Sequence, residues 1–431
     1  MSDATQYLAS DFGAPYWASD TAPAPSSAGP LPDTADVVVI GAGYTGLNAA
    51  LTAARAGSDV VVVDREVPGN SASGRNGGHV STSMKPGLQE LSSKLGADRA
   101  RAILKLGHAA VAYLDGLIDA ETLACDYEQC GHFTGAHKPA AVKGLHGWAK
   151  EQRDLGNPVD EVSRADQHAY IGSDHFHGGI FMPNWKSLHP GKYVTALAGR
   201  VAECARIFAD QNVVRVSRVA SGVEVAMAGG HVIRAKSAIV ATNAQTSTAT
   251  PALPRRIITI ASVSHANEPL DPGMLSRLHP RRDTCDDSRR LVTYTRPSPD
   301  GRRVLVGSRV RFRPGAPEDA RAAMHRRMEM FFPELAGVRS DFVWGGLVGY
   351  TFDHLPQVGT DGPVHYAMGY CGTGVAMASY LGSLVGQRAA GLSDRDTSLD
   401  GLPVKSLPLY NGRPWFLPFA FAWYGFLDRF A

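Results

Sequence analysis

Residues Val37–Asp64 read VVVIGAGYTGLNAALTAARAGSDVVVVD. Two apolar, β-branched runs, Val37–Ile40 and Val60–Val63, flank a segment of helical composition. Each run is too continuous for a strand with one wet face, and predicts a strand buried on both faces, as in a parallel sheet. Between them Gly41-Ala42-Gly43-Tyr44-Thr45-Gly46 is a GxGxxG turn that opens a helix over residues 45–56, with Gly57 placed to end it. Gly41 permits the tight turn, Gly43 lets backbone approach a pyrophosphate, and Gly46 allows close helix–strand packing. The helix N-terminus offers N–H groups and a positive dipole end to phosphates. Asp64 ends the second strand about twenty residues beyond Gly41, where a carboxylate accepts ribose hydroxyls and disfavours a 2′-phosphate. The hexapeptide alone is a weak signal. Strand, turn, helix and acid in this order predict a site for the ADP half of a dinucleotide.

The next stretch chooses between cofactors. Gly69–His79 (GNSASGRNGGH) packs small residues and one arginine into a loop that can run close beneath a flat ring. A nicotinamide enzyme would continue with alternating strands and helices; here helices over 88–119 and 140–155 intervene. The loop therefore points to FAD. Farther on, helical spacing covers 192–205, and strands are predicted at Val213–Val216, Val223–Met227 and Ser237–Ala241. Strands with turn signals fill Ile257–Phe312, a helix spans Glu318–Phe332, and a glycine-rich region from Gly345 turns helical before Arg388. The expected class is α/β with two domains. A Rossmann-like FAD-binding domain (34–87, 186–254 and 341–400) is interleaved with a substrate domain (88–185 and 255–340) on a mainly antiparallel sheet. An N-terminal extension (1–33) and an apolar C-terminal tail (401–431) complete the chain. The Pro/Ala/Ser-rich Thr21–Pro32 reads as an extended linker, with Tyr16-Trp17 before it pinned on the body.

At 431 residues the chain is long enough for two cores, and a formal charge of +2 leaves no polyanion-binding footprint, so no nucleic-acid partner is expected. The arginines do cluster (Arg281, Arg282, Arg289, Arg290, Arg302, Arg303, Arg309, Arg311, Arg313), most simply as solvated surface and strand-edge charge. Five scattered cysteines without a CxxC pair argue against a disulfide framework or zinc site and fit the cytoplasm. Met1–Asp20 lacks the pattern of a signal peptide, and no apolar run is long enough to span a membrane. No metal site is expected. His175 and His177 have alternate spacing but no evident third ligand, so they read as ordinary loop or strand histidines. His189-Pro190 reads as the entry and cap of a helix, and Cys371 as packing. The tail Pro414–Phe430 (PWFLPFAFAWYGFLDRF) is proline-broken. It is expected to dock on the chain itself or in a homodimer rather than at a membrane interface. A monomer or homodimer is expected.

Taken in order, GAGYTG, SASGRNGGH, Val240–Ala244, Trp344-Gly345-Gly346 with Thr351, Asp353, Pro356 and Gly359, and Gly369–Val375 resemble the glycine/D-amino-acid oxidase (DAO) superfamily. Pro15-Tyr16-Trp17 and the tail motifs Gly412-Arg413, Trp423-Tyr424 and Asp428-Arg429 are most similar to its γ-glutamylputrescine oxidoreductase branch. The resemblance implies a cofactor-binding set of Gly41, Gly43, Tyr44, Thr45, Gly46, Asp64 and Arg65 for the ADP half, with Val213 touching adenine and Thr242 and Asn243 beside the diphosphate–ribose stretch. Ser73, Gly74, Arg75, Asn76, Gly77 and Gly78 would approach the flavin, and Gly372, Thr373, Gly374 and Val375 would face its pyrimidine edge. Thr373 stands where the branch often has His. Relatives that attach FAD covalently do so near Val348 and Asn76 here, so FAD is expected to be non-covalent. A lysine that promotes reaction with oxygen in sarcosine-oxidase-like relatives has no counterpart in Leu291–Arg313, where Leu305 takes its place.

The implied activity is oxidation of the C–N bond of an amine, γ-glutamylputrescine-like or related. Hydride would pass to flavin N5, the imine would hydrolyse to an aldehyde plus ammonia or an amine, and O2 would reoxidise the flavin to give H2O2. Candidate pocket residues are His79, Tyr350, Asp353, His354 and Tyr370, with Arg309 as a carboxylate anchor. Two readings compete: a D-amino-acid or N-methyl-amino-acid oxidase or dehydrogenase with another acceptor, and a non-catalytic flavin-binding protein.

Overall fold

The two apolar runs lie side by side at the centre of a sheet, each closed to solvent on both faces. In the computed structural model, which describes residues 7–310, 312–393 and 396–430, Thr34–Ile40 pairs in parallel with Val60–Val63 and with Val232–Val240. Arg311 of the arginine cluster, Met1–Gln6 of the N-terminal extension, residues 394 and 395, and residue 431 of the tail lie outside the described residues. Val60–Val63 are each at most 1% exposed. Burial on this scale contributes on the order of 1.5–3 kcal/mol per valine, which favours the strand in this place over any exposed alternative. Arg206–Phe208 extends the parallel ladder on one side; on the other, Val364–Met368 joins Val232–Val240 in parallel. Gly222–Met227 and Val213–Val219 add an antiparallel hairpin edge, and Gln357–Asp361 pairs antiparallel with Val364–Met368.

The second eight-stranded sheet runs in the order Ser340–Tyr350, Ile258–Asn267, Val304–Ser308, Thr293–Pro297, Thr284–Asp287, His132–Gly135, Gly179–Met182, Asp160–Val162. Every pairing in it is antiparallel except that between Thr284–Asp287 and His132–Gly135. The α/β architecture with one mainly parallel and one mainly antiparallel sheet is the expected class. The helical stretch after residue 88 forms two helices, Leu88–Leu95 and Ala97–Glu121, broken where Gly96 takes φ +84°. His189 caps the helix Pro190–Ala202, its Nδ1 accepting the Lys192 N–H at 3.1 Å.

Both chain extensions fold onto the body. Trp17 is completely buried and donates from its indole to the Asn76 carbonyl at 2.9 Å. In the tail, the helix Leu417–Phe430 is held by Asp428, whose carboxylate accepts the backbone N–H groups of Arg290 and Leu291. Phe419, Trp423 and Phe426 of that helix are exposed. Among the described residues no helix is long and apolar enough to cross a membrane.

Two helices determine the position of the glycine turn. Tyr44–Arg55 begins at the turn, and Gly374–Ala389 crosses it so closely that a Cβ on Gly382 would fall onto the Thr45 carbonyl oxygen, and one on Gly386 would lie 2.5 Å from that of Ala49. Gly382→Ala should lower stability by about 1–3 kcal/mol, because neither backbone can retreat. It should appear as a lower urea midpoint at unchanged m-value. Gly199→Ala is the control of opposite sign. It lies in a helix with nothing near its absent Cβ, so alanine should be neutral or stabilise by up to about 1 kcal/mol.

Candidate active site

A cavity of about 560 Å³ begins at the glycine turn and runs to the antiparallel sheet. Gly41 (φ +103°) makes the turn, and a Cβ there would lie 2.9 Å from the Ala241 carbonyl oxygen. A Cβ on Gly46 would strike the Gly41 carbonyl, so this glycine serves helix–strand contact and does not itself border the cavity. Tyr44 donates its N–H to Ser73 Oγ at 3.0 Å, which ties the helix start to the 71–79 loop. Asp64 receives the N–H of Ala42 on Oδ2 at 2.7 Å and that of Glu66 on Oδ1 at 3.0 Å. Burial pushes its carboxyl up to about 6, against the pull of these two donors. Gly43, Thr45, Arg65, Val213 and Thr242 border the same end. Arg65 also donates to the Tyr7 carbonyl. Asn243 takes φ +43° and accepts the Gly369 N–H on Oδ1 at 2.9 Å, joining two segments of the wall.

The 71–79 loop forms the cavity's middle. Arg75 is 6% exposed, and its guanidinium donates to four backbone carbonyls: Asn70 at 2.8 Å, Gly13 at 2.7 Å, Gly345 at 3.1 Å and Ala9 at 2.8 Å. Burial lowers its pKa to about 10. The Asn76 side chain fastens the loop to itself, donating to the carbonyls of Ala72 and Ser73 and accepting the Gly78 N–H. Gly74 and Gly78 shape the loop without lining the cavity; a Cβ on either would meet backbone, at Gly69 and Leu188. Gly77 does border it, facing the Tyr294 ring. Opposite, Gly372–Val375 border the cavity at the N-terminus of the helix Gly374–Ala389, with Thr373 at the cap position donating from its hydroxyl to the Tyr370 carbonyl. Cys371 also borders it. Its thiol donates to the Gly369 carbonyl, and burial pushes its pKa up to about 11.

Of the six candidate catalytic residues, four meet at the cavity: His79, Tyr350, Tyr370 and Arg309. Arg309 donates to the Tyr350 hydroxyl, with its guanidinium 5.1 Å from that ring's centroid. Burial raises the Tyr350 phenol, and the cation beside it opposes this. Tyr370 is tied by its hydroxyl to Thr45 Oγ1 at 2.6 Å. His79 is held well below the usual imidazole pKa by burial, then by His132 and Arg296, and its Nε2 has no hydrogen-bond partner. Asp353 and His354 do not belong to this group. Asp353 accepts the Leu355 N–H at 3.2 Å and borders a separate surface groove with Arg388 and Asp400. His354 sits exposed at φ +60°. His354 stands beside the cavity without lining it: its ring packs edge-on to that of Tyr350, with centroids 6.0 Å apart, and burial lowers its pKa, with Lys85 and Arg309 adding to the effect.

Leu305 is also elsewhere, 5% exposed in a cluster with Tyr16, Trp17, Ala266 and Trp344. A lysine reaches the cavity instead from Lys85, in the loop after Val80. Lys85 has free surface because it faces the open cavity, yet enclosing protein lowers its pKa, with Arg309 adding to the effect. Asp286, Tyr294, Trp185 and Ser264 complete this end. None carries a sequence motif. Asp286 and Tyr294 are adjacent only through strand register, as are Tyr294 and Gly307. The absence of a side chain at Gly307 gives the Tyr294 ring its place.

A parallel sheet with a glycine turn at one end of a long cavity, and an antiparallel sheet carrying charged groups at the other, define a dinucleotide-dependent enzyme. The DAO family, FAD dependent oxidoreductase, matches residues 36–388, and the chain belongs to that family. Its cofactor is FAD, and the cradle fits: a nucleotide-sized channel runs from a turn in which side chains at 41 and 43 would meet backbone or Ser73 Oγ. The chain is 32% identical over 411 residues to the probable oxidoreductase OrdL of Rhizobium meliloti, covering 92% of each chain. It is 29% identical over 410 residues to the γ-glutamylputrescine oxidoreductase of Escherichia coli, covering 92% of this chain and 93% of that one. The glycine oxidase of Geobacillus kaustophilus shares the fold at a TM-score of 0.73 and 16% identity, over 88% of this chain and 100% of the other.

The Asp64 carboxyl yields a pH prediction. Ribose hydroxyls donate to a carboxylate, so FAD favours ionised Asp64 and lowers its pKa below the value of about 6 in the free cleft. The sign follows: affinity is full above pH 6 and falls as pH drops through 6, by at most about tenfold per unit. Titration of apoprotein with FAD between pH 5 and 7.5 should show this slope. Asp64→Asn should bind more weakly at neutral pH and show little slope.

Proposed function

We propose that this chain oxidises the C–N bond of an amine, with a γ-glutamylputrescine-like amine as substrate, dioxygen as acceptor and FAD held non-covalently. The observation that carries the reading is that one cavity joins the nucleotide-binding turn to a cluster of Arg309, Lys85 and Asp286 on and beside the antiparallel sheet. The relative in E. coli, similar along nearly its whole length, is a γ-glutamylputrescine oxidoreductase. Bound flavin supplies the two-electron acceptor for the C–N bond and the route onward to oxygen.

The chain's own residues bind, orient and set charge. His79 borders the cavity and is kept neutral by burial, so it shapes that wall without adding charge. Arg309 offers a guanidinium to a carboxylate. The N-terminus of the helix Gly374–Ala389 favours negative charge at its end of the cavity. Lys85 brings a cation to the cavity, which supports dioxygen as the acceptor despite Leu305. Cys371 is protonated and tied to a carbonyl, which supports non-covalent FAD. Arg309 also favours a second reading, an amino-acid substrate whose carboxylate it would hold.

Anaerobic mixing with a panel of amines and amino acids tests the reading. A γ-glutamyl-polyamine should bleach the yellow protein, and air should restore the colour with release of peroxide. Failure of every amine to bleach it would sink the proposal. Arg309→Ala should raise KM about 10- to 100-fold for carboxylate-bearing amines and leave simple amines bound at least as well as before. Lys85→Met should slow air oxidation of the chemically reduced protein about 10²-fold, the scale of removing one preorganised charge. Acid precipitation should release the yellow colour into solution.

A further inference from the structure

We infer that Asp286, backed by His132 and flanked by the Trp185 ring, is an ammonium-binding subsite for an α-amino-acid head group. This rests on the reading of the cavity as the amine site. Asp286 faces the cavity from the strand Thr284–Asp287, with its side chain 27% exposed. Its Oδ1 is sealed from solvent and lies 3.2 Å from His132 Nε2, at ion-pair distance but outside hydrogen-bonding geometry. His132 is 1% exposed, and its other nitrogen is fixed to Thr284 Oγ1 at 2.7 Å. The ring is therefore locked in place behind the carboxylate, whose exposed part is left to the cavity.

Oδ1 is turned toward His132, so a ligand in the cavity meets the exposed part of the carboxylate, and the surroundings of that part specify a cation. Trp185 stacks on His132, with ring centroids 3.9 Å apart and planes 17° apart, and presents its indole to the same cavity. A carboxylate beside an indole attracts an ammonium through charge and through the ring quadrupole. Asp287, the next residue, is instead buried against Arg289 Nη1 at 2.6 Å and does not border the cavity.

The other charges in the cavity restrict the ligand further. Arg309 and Lys85 are both cations, and a simple diamine would be repelled by them. One strand, Thr293–Pro297, lies between the strand of Asp286 and the strand Val304–Ser308 that leads into Arg309. The backbones are therefore roughly 10 Å apart, a gap that a long arginine side chain narrows. A ligand with ammonium and carboxylate on one carbon meets both signs at once. Asp286 takes the ammonium, and Arg309 with Lys85 takes the carboxylate.

The test uses holoenzyme and two amides without an oxidisable free amine at the alkyl end, γ-glutamyl-n-butylamide and glutaryl-n-butylamide, which differ only in the α-ammonium. Binding is read at equilibrium from the perturbed flavin spectrum. Wild type should bind the γ-glutamyl amide at least about tenfold more tightly, the scale of one charge-assisted hydrogen bond. Asp286→Asn should reduce that ratio to near one while changing glutaryl-amide affinity by less than about threefold. Trp185→Leu should shrink the ratio about 2- to 10-fold, and serves if Asp286→Asn folds poorly. An unchanged ratio in both variants, equal weakening of both amides, or no wild-type preference or binding would overturn the assignment. Bleaching by amines is read separately on the same protein. Loss of head-group discrimination with bleaching intact sinks only this inference, and the converse sinks only the oxidase reading.

Discussion

The site depends on one buried cation, Arg75, whose hydrogen bonds go to backbone carbonyls, with the Glu66 carboxylate acting on it only from a distance. Arg75 reaches the N-terminal extension through Ala9 and Gly13, its own loop through Asn70, and the long strand Ser340–Tyr350 through Gly345, all by carbonyl oxygens. Carbonyl dipoles can hold a guanidinium in place of an ion pair only if every donor is aimed, because an unmet charge at this depth costs several kcal/mol. The planar fork of arginine meets that requirement and a lysine would not. Two indoles complete the anchoring from either side, Trp344 donating to the Arg75 carbonyl and Trp17 to that of Asn76. The loop in the middle of the cavity is thus fixed by three distant parts of the chain. The N-terminal extension is one of them, and it adds Ala9 and Phe12 to the cavity wall.

This arrangement explains which features could be read from the sequence. The nucleotide end is local: strand, turn, helix and acid are consecutive, and each residue's role follows from backbone geometry at its own position. Gly41, Gly43 and Asp64 are accordingly found where a reading of 28 residues puts them. The substrate end is made by register. Asp286 faces Tyr294, and Tyr294 lies over Gly307, because three strands align. No spacing in the chain encodes that alignment. Nor does spacing tell that Asp353 borders a separate groove, or that His354 packs its ring against Tyr350 beside the cavity without lining it. The same blindness directed the search for a lysine to the strand that holds Leu305. Strand alternation puts Leu305 on the same sheet face as Gly307 but one step farther along, against Trp17 and Trp344. The one signal available for Lys85 was a lone cation in a small-residue stretch following the 71–79 loop, and that is too common to select.

The charges in the cavity are sorted by burial. Desolvation holds His79 neutral and keeps the phenols of Tyr350 and Tyr370 and the thiol of Cys371 protonated. These groups offer hydrogen bonds and shape without formal charge. Charge is left to Arg309, Lys85 and Asp286 at one end, to Arg75 in the middle, and to the helix termini, Arg65 and Asp64 at the other. A cavity arranged this way selects a ligand by its polar head while leaving the reacting carbon among neutral groups. Lys85 stands between the two roles. Enclosure and the nearby Arg309 both lower its pKa, and Asp286 partly offsets them. A ligand that neutralises Asp286 would remove that offset and make the lysine easier to deprotonate, whereas a carboxylate on Arg309 would favour its charged form. The ionisation of Lys85 is therefore coupled to which end of a head group is bound, and a dipolar ligand leaves it closest to its state in the empty cavity.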